Sequence, residues 1–395
     1  MGTKIRVIGI SMLLVLLVFG LPSVFAESGV TEDALLIGCS QGLTGPMAFI
    51  ANQNTNGVKL MIDDINNKGG IHGRKIKLLI MDDGYRSDRH IANIRRMIEN
   101  DKVFGFVMSL GTHTVASSLP LLNQYQVPLF FCATESKIFN SEPYVFGLKA
   151  SYRQMMIQGI KYMMQQKGKK KIAVVYWDNA FGQEHIEAAE EYMAAVGQKL
   201  VARENYKDED YDMSPIASRL KRSGADCVAL GASISSCAKI IKAMHNIGYT
   251  PDILGPLMLA SPGFIELAGK DAEGVYIMLP FLTPDDKAVS SFKEIAKRAY
   301  PDKPWDNNIM SGMEYAYCFA EVAKRAGKDL TREKAIKAVE GMSDQNFNNP
   351  FSSGSKFEFG PKQHRAGSSI IIGHISKGQV ERTDWIHWEN MPVPK

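Results

Sequence analysis

The sequence predicts an α/β protein made of two doubly wound, parallel-sheet lobes. Its 395 residues are 45% apolar, which suits two buried cores better than one. From Ala34 onward short apolar runs alternate with amphipathic segments, the pattern of a parallel sheet covered by helices on both faces. After Ser151 the same pattern starts again, which calls for a second lobe.

Ala34–Cys39, Ile76–Met81, Phe104–Met108 and Pro128–Cys132 read as buried strands, because they are apolar on both faces instead of alternating. Between them Val58, Met61, Ile62 and Ile65 mark one helix face, and Ile91, Ile94 and Ile98 mark another. In the second half the expected strands are Ile172–Tyr176, Leu200–Arg203, Cys227–Leu230 and Ile253–Gly255. Helices are expected around Glu184–Ala195, Pro215–Arg222 and Ser235–His245, with Cys237 on the apolar face of the last. After Leu279-Pro280 come helices near Ala288–Ala299, Ile309–Ala326 and Thr331–Glu340, the last with Thr331 as N-cap and Glu333 in its first turn. Two hairpin-like runs, Ser368–Ile375 and Val380–Trp388, close the chain. The passage between lobes near Tyr144–Ser151 has no Gly/Ser or Pro-rich tether, and so suits a hinge.

Residues 1–26 read as a secretory signal peptide. Lys4 and Arg6 precede the acid-free apolar run Val7–Phe19, and Val24-Phe25-Ala26 supplies a cleavage site. That run falls short of the roughly 20 apolar residues of a membrane span, so an exported, soluble chain is expected. Without the leader the formal charge drops from +4 to about +2, too small and too evenly spread for a nucleic-acid partner. The run from Lys167 to Lys171 reads as a solvated turn before a strand. Five cysteines without a C-x-x-C pair argue against a metal cluster and against a dense disulfide framework. Leu36-Ile37-Gly38-Cys39 matches a lipoprotein box superficially, but lies inside the first strand and well past the apolar run.

In doubly wound sheets, ligands sit beyond the carboxyl ends of the strands. Polar loops collect there. Gln41-Gly42-Leu43-Thr44-Gly45-Pro46 matches neither the dinucleotide nor the P-loop spacing, so it is either a tight turn or part of a binding rim, with Thr44 as its contact. Ser109-Leu110-Gly111-Thr112-His113-Thr114 precedes a helix. Thr112 and Thr114 either cap that helix or join its N-terminal amides in holding a carboxylate, and His113 alone signals no catalysis. Cys132-Ala133-Thr134-Glu135-Ser136 follows another strand. The second lobe offers Trp177-Asp178-Asn179-Ala180-Phe181-Gly182, Gly231-Ala232-Ser233 and Gly255-Pro256-Leu257-Met258. Together these loops describe a cleft. No nucleophile elbow, H-E-x-x-H pair or other catalytic set is legible, and Asp82-Asp83 is expected to cap the turn at Gly84 rather than to hold a metal.

The N-terminal motifs carry a resemblance. Gln41-Gly42-Leu43-Thr44-Gly45-Pro46, then Asn56-Gly57-Val58-Lys59-Leu60 leading into Asp64-Ile65-Asn66, then Lys68-Gly69-Gly70-Ile71-His72-Gly73-Arg74 and Asp82-Asp83, resemble the leucine-isoleucine-valine-type periplasmic binding proteins of ABC transporters. Phe181-Gly182, Ser223-Gly224-Ala225-Asp226 and Asp271-Ala272-Glu273-Gly274-Val275 agree. The resemblance implies a two-lobed carrier with a three-crossing hinge, residues 27–147 and 281–355 forming one lobe and 148–280 and 356–395 the other. It implies an inner-membrane ABC permease as partner, a monomer, a periplasmic location, and neither cofactor nor metal. Position by position, the carboxylate-holding hydroxyl matches Thr112, the strand-end contacts match Ala133 and Thr134, and the second-lobe aromatic matches Phe181. Ala232 and Ser233 fall where relatives present a further side chain.

Departures bear on the ligand. Amino-acid-binding relatives carry an acid after the Gly-Pro pair, where this chain has Leu257 and Met258. An unpaired buried ammonium is costly, so an amino acid would need Glu135 or Asp178 as a substitute. The Thr112 and Thr134 loops resemble the branch associated with aromatic or aliphatic carboxylates, and Tyr85 and Gly111 replace a cysteine pair of some relatives. The expected function is capture of a small organic ligand, a carboxylate in the first place. The alternatives are a sensor signalling to a receptor, and a hydrolase or dehydrogenase on a similar scaffold.

Overall fold

The computed structural model describes residues 27–207, 210–302 and 305–388; the expected signal peptide lies outside them. Four apolar runs make the first sheet. The elements follow as β1 (Ala34–Gln41), α1 (Ala48–Asn67), β2 (Lys75–Asp82), α2 (Ser87–Glu99), β3 (Gly105–Val107), α3 (Thr112–Tyr125) and β4 (Leu129–Phe130). All pairings are parallel, in the order β2-β1-β3-β4. β2 corrects one expectation. It lies at the sheet edge with Lys75 and Lys77 exposed and Ile76 its one buried residue, so it is not buried on both faces. β3 and β4 are shorter than the apolar runs that encode them. Met108 (φ 55°) and Phe131 (φ 56°) take left-handed backbone right after each strand and turn the chain out of the sheet.

The second lobe repeats this order. α4 (Tyr152–Gln165) leads to β5 (Ile172–Trp177), α5 (Ala180–Ala195), β6 (Ala202–Tyr206), α6 (Ser214–Ser223), β7 (Cys227–Gly231), α7 (Ile234–Asn246), β8 (Asp252–Gly255), α8 (Pro262–Ala268) and β9 (Tyr276–Leu279). Its parallel part runs β6-β5-β7-β8-β9. Next come α9 (Ser290–Ala299), α10 (Asn307–Ala326) and α11 (Arg332–Glu340), and Thr331 caps α11 as expected, its side chain accepting from the Lys334 N–H. β10 (Ser369–Ser376), β11 (Gln379–Arg382) and β12 (Ile386–His387) then extend the second sheet antiparallel, beginning beside β9.

The chain passes between the lobes three times: before α4, after β9, and before β10. The first and third passages run side by side, with Gly147 N–H donating to His364 O (2.8 Å) and Ala366 N–H to Gly147 O (3.0 Å). Phe359 packs on Phe131 and Phe146 of the first lobe, with centroids 6.0 and 6.3 Å apart. The third passage runs beside the first at His364–Ala366. All five cysteines are buried free thiols. Burial pushes the Cys39 thiol up to about 12, so it is an inert core group inside β1. Among the described residues, no helix is long and apolar enough to cross a membrane.

α1 and α10 touch backbone to backbone. A Cβ on Gly57 would collide with the Ile309 carbonyl, and one on Gly312 with the Asn54 carbonyl. This crossing carries α10 against the first lobe and aims its N-terminal residues at the space between the lobes. Gly57→Ala is expected to destabilise the protein by about 1–3 kcal/mol through overpacking, measured by urea unfolding. An unchanged midpoint would mean that the helices separate freely.

Candidate functional site

The carboxyl ends of both parallel sheets face one cavity of about 780 Å³, counting the space open to solvent. In each sheet the chain reverses its direction of winding beside the first strand, at β1/β3 and at β5/β7, which is where such folds open a crevice. The first lobe contributes Leu110, Gly111 and Thr112 after β3, then Ala133 and Glu135 after β4. The second contributes Trp177 and Phe181 around the start of α5, Ser233 after β7, and Leu257 and Met258 after β8.

Of the residues the sequence put forward, Thr112, Ala133, Glu135, Phe181, Ser233, Leu257 and Met258 line this cavity. Thr134 stands directly behind the wall, fully buried, with its hydroxyl 2.9 Å from that of Thr112. Four others are placed elsewhere. Thr44 is exposed and donates to the Asp82 carboxylate from both its hydroxyl (2.7 Å) and its N–H (3.1 Å), so the Gly-Pro loop is pinned to β2, and Met47 reaches the wall instead. His113 points to the back of the loop, 3.2 Å from Tyr85 O and edge-on to the Tyr85 ring. Asp178 is exposed, and Ala232 is wholly buried beneath Ser233. Neither threonine caps α3. Its N-cap is Gly111 at φ 103°, where the approach of Tyr85 leaves no room for a Cβ. The first N–H groups of α3 thus begin at the cavity without an intrahelical carbonyl to meet them.

Asp82 and Asp83 act as turn caps, as expected. Asp82 accepts from the Gly84 N–H (2.9 Å), and Asp83 from the Tyr85 N–H (2.8 Å), Ser40 (2.8 Å) and His90 (2.9 Å). Among the described residues no cluster could hold a metal ion.

Several wall residues were not foreseen. Lys149, on the first passage between lobes, is 4% exposed. Its ammonium donates to Ser311 (2.9 Å) and Tyr315 (3.2 Å), lies 3.4 Å from Glu314, and rests over the Phe281 and Tyr315 rings. Burial raises the Glu314 carboxyl above its usual range, and Lys149 opposes that rise. Desolvation, and next the nearby Glu135 charge, push the Tyr152 and Tyr315 hydroxyls well above the ordinary phenol range. Behind Phe181, burial lowers His185 to about 4, so this imidazole is neutral at pH 7 and its Nδ1 pairs with Phe181 O at 2.8 Å. Asn54 Oδ1, Asn307 Oδ1 and Asn308 Nδ2 are buried at the cavity without a hydrogen-bond partner among the described residues. One signal was available: Asn54 sits four residues before Val58, a polar group inside the apolar stripe of α1.

Residues 35–379 match the family model described as periplasmic binding protein. The chain belongs to the periplasmic binding protein family. This periplasmic binding protein is 21% identical over 372 residues to the Leu/Ile/Val-binding protein homolog 7 of Brucella melitensis, covering 89% of this chain and 92% of that one. Two solved structures share its fold at TM-score 0.82. One is a branched-chain amino acid ABC transporter protein from Thermus thermophilus with bound valine (21% identity, 91% of this chain, 97% of that chain). The other is a fatty acid ABC transporter substrate-binding protein from Thermomonospora curvata (20% identity, 93% and 97%). The two-lobed α/β fold expected from the sequence is that of these neighbours, and the relatives are binding proteins rather than enzymes.

Proposed function

We propose that this chain is a periplasmic solute-binding protein that captures a small organic carboxylate between its lobes and delivers it to an inner-membrane ABC permease. The observation that carries this reading is the meeting of the α3 N-terminus and the paired Thr112 and Thr134 hydroxyls at one wall of an otherwise largely apolar cavity. Helix N-terminal amides favour an anion, and the Thr112 hydroxyl, paired from behind with that of Thr134, adds a donor. Phe181, Leu257 and Met258 come from the opposite lobe and suit the apolar body of the ligand. A ligand touching both lobes stabilises the closed arrangement, which a permease can read as a state.

Thermal-shift screening of amino acids, aromatic acids, short fatty acids and amides tests the class, since a saturating binder stabilises by several kcal/mol. For an acid found in that screen, Thr112→Ala is expected to weaken binding by about 1–2 kcal/mol through the lost hydrogen bond, as measured by calorimetry. Unchanged affinity would remove Thr112 from the site.

A further inference from the structure

Where α1 crosses α10, three asparagines line the cavity: Asn54 from the first helix, and Asn307 and Asn308 from the first turn of the second. Asn54 and Asn307 are each 4% exposed. Capping does not occupy them, because Asp306 caps α10, accepting from the Asn308 and Ile309 N–H groups at 2.9 Å each. The Asn307 amide donates through Nδ2 to the Ala260 carbonyl of the second lobe. That bond fixes which end of the amide is the oxygen, and Oδ1 is left buried with no hydrogen-bond partner among the described residues. Asn54 Oδ1 and Asn308 Nδ2 are buried without a partner in the same way. The seam between the helices offers none, since a Cβ on Gly312 would already collide with the Asn54 carbonyl and one on Gly57 with the Ile309 carbonyl. A partner therefore comes from the cavity. Buried amide atoms left unpaired cost as much as lost hydrogen bonds, and an apolar side chain of the same shape would serve a helix crossing better.

We infer that Asn54 and Asn307 form an amide subsite that takes a neutral hydrogen-bond donor of the guest, a hydroxyl or an amide N–H, on the molecule whose carboxylate lies at Thr112. This rests on the carboxylate reading above and narrows it to hydroxy acids and amide acids. Asn307 has only an acceptor to offer, so the guest must donate. A second carboxylate finds no open cation in this wall, because Glu314, Ser311 and Tyr315 already engage the Lys149 ammonium. The same amide joins the lobes through Ala260. A donor on Asn307 Oδ1 polarises Nδ2 and strengthens that bond, so filling the subsite favours the closed arrangement.

The test compares three pairs of compounds of matched shape by calorimetry on the wild-type protein, Asn54→Leu and Asn307→Leu. The pairs are 3-(4-hydroxyphenyl)propanoate with 3-(4-fluorophenyl)propanoate, 6-hydroxyhexanoate with heptanoate, and 4-carbamoylbenzoate with 4-acetylbenzoate. In the wild type at least one donor-bearing member should bind about 10-fold or more tightly than its partner, and each substitution should abolish that preference. Asn307→Leu should also weaken every guest, since it removes the bond to Ala260. Ligand-free Asn54→Leu should unfold at the same or a higher urea concentration than the wild type, because it loses an unpaired buried group. A lower midpoint would mean that the fold itself satisfies this amide, and would overturn the inference. Acids that bind without preference for the donor, or a preference that survives both substitutions, also overturn it and leave the carboxylate reading standing. No binding by any of the six compounds overturns the subsite, and the thermal-shift screen then decides the carboxylate reading separately.

Discussion

Arg365→Met is expected to destabilise the protein by about 3–5 kcal/mol, because one buried guanidinium ties together the strand-end loop and two passages between the lobes. Arg365 is 5% exposed. It donates to Thr134 O (2.9 Å), Ser136 O (3.2 Å), Lys149 O (3.1 Å) and the Asn140 side-chain oxygen (3.2 Å). Methionine fills a similar volume but leaves three backbone carbonyls without these donors, each worth about 1–3 kcal/mol when stranded. The side chain has no room to move aside, since it packs so closely on Gly147 that a Cβ there would meet the guanidinium carbon at 2.5 Å. Its charge also steadies Glu184 of α5, a carboxyl that burial raises, while Ser136, the Lys137 N–H and then Arg365 hold it down. Urea unfolding followed by tryptophan fluorescence measures the loss. A change below about 1 kcal/mol would show that solvent replaces the guanidinium at these carbonyls. Arg365→Lys should recover only part of the stability, because an ammonium cannot span the same fork of acceptors.

Arg365 also marks where the sequence stops being readable. It lies in a polar stretch, Lys362-Gln363-His364-Arg365, with no periodicity, and its partners are 216 to 231 residues away along the chain. The central strands β1, β5, β7 and β8 were legible because both their faces are buried, which leaves nearly unbroken apolar runs. β6 was placed too early. It is an edge strand whose Arg203, Glu204 and Asn205 face outward in part, so the apolar residues before it gave the stronger signal. The same division runs through the site. Residues close behind strand ends, such as Thr112 and Phe181 in the first turns of α3 and α5 and Glu135 in the loop after β4, were found because doubly wound sheets place ligands at strand ends. Asn54, Ser311 and Tyr315 were missed because they lie within helices, where only the crossing of α1 and α10 turns them to the cavity.

Glu314→Ala should cost about as much as the loss of Arg365, roughly 3–5 kcal/mol, since it strands a charge in the driest part of the cavity wall. Lys149 and Glu314 are 4% and 1% exposed, and the ammonium lies 4.9 Å from the Phe281 ring centroid and 4.6 Å from that of Tyr315. Without the carboxylate only two hydroxyls and two ring faces answer the charge, and Asn349 Nδ2, 2.8 Å from Glu314, loses its acceptor as well. Removing both charges together should behave differently. In Lys149→Met with Glu314→Leu no ion is left to desolvate, so the double variant is expected within about 2 kcal/mol of the wild type, well above either single variant. The cycle separates two accounts of the pair. Strong coupling means that Lys149 is there to be neutralised by Glu314. Additive losses would mean that the Ser311 and Tyr315 hydroxyls and the two ring faces hold the Lys149 ammonium without the carboxylate.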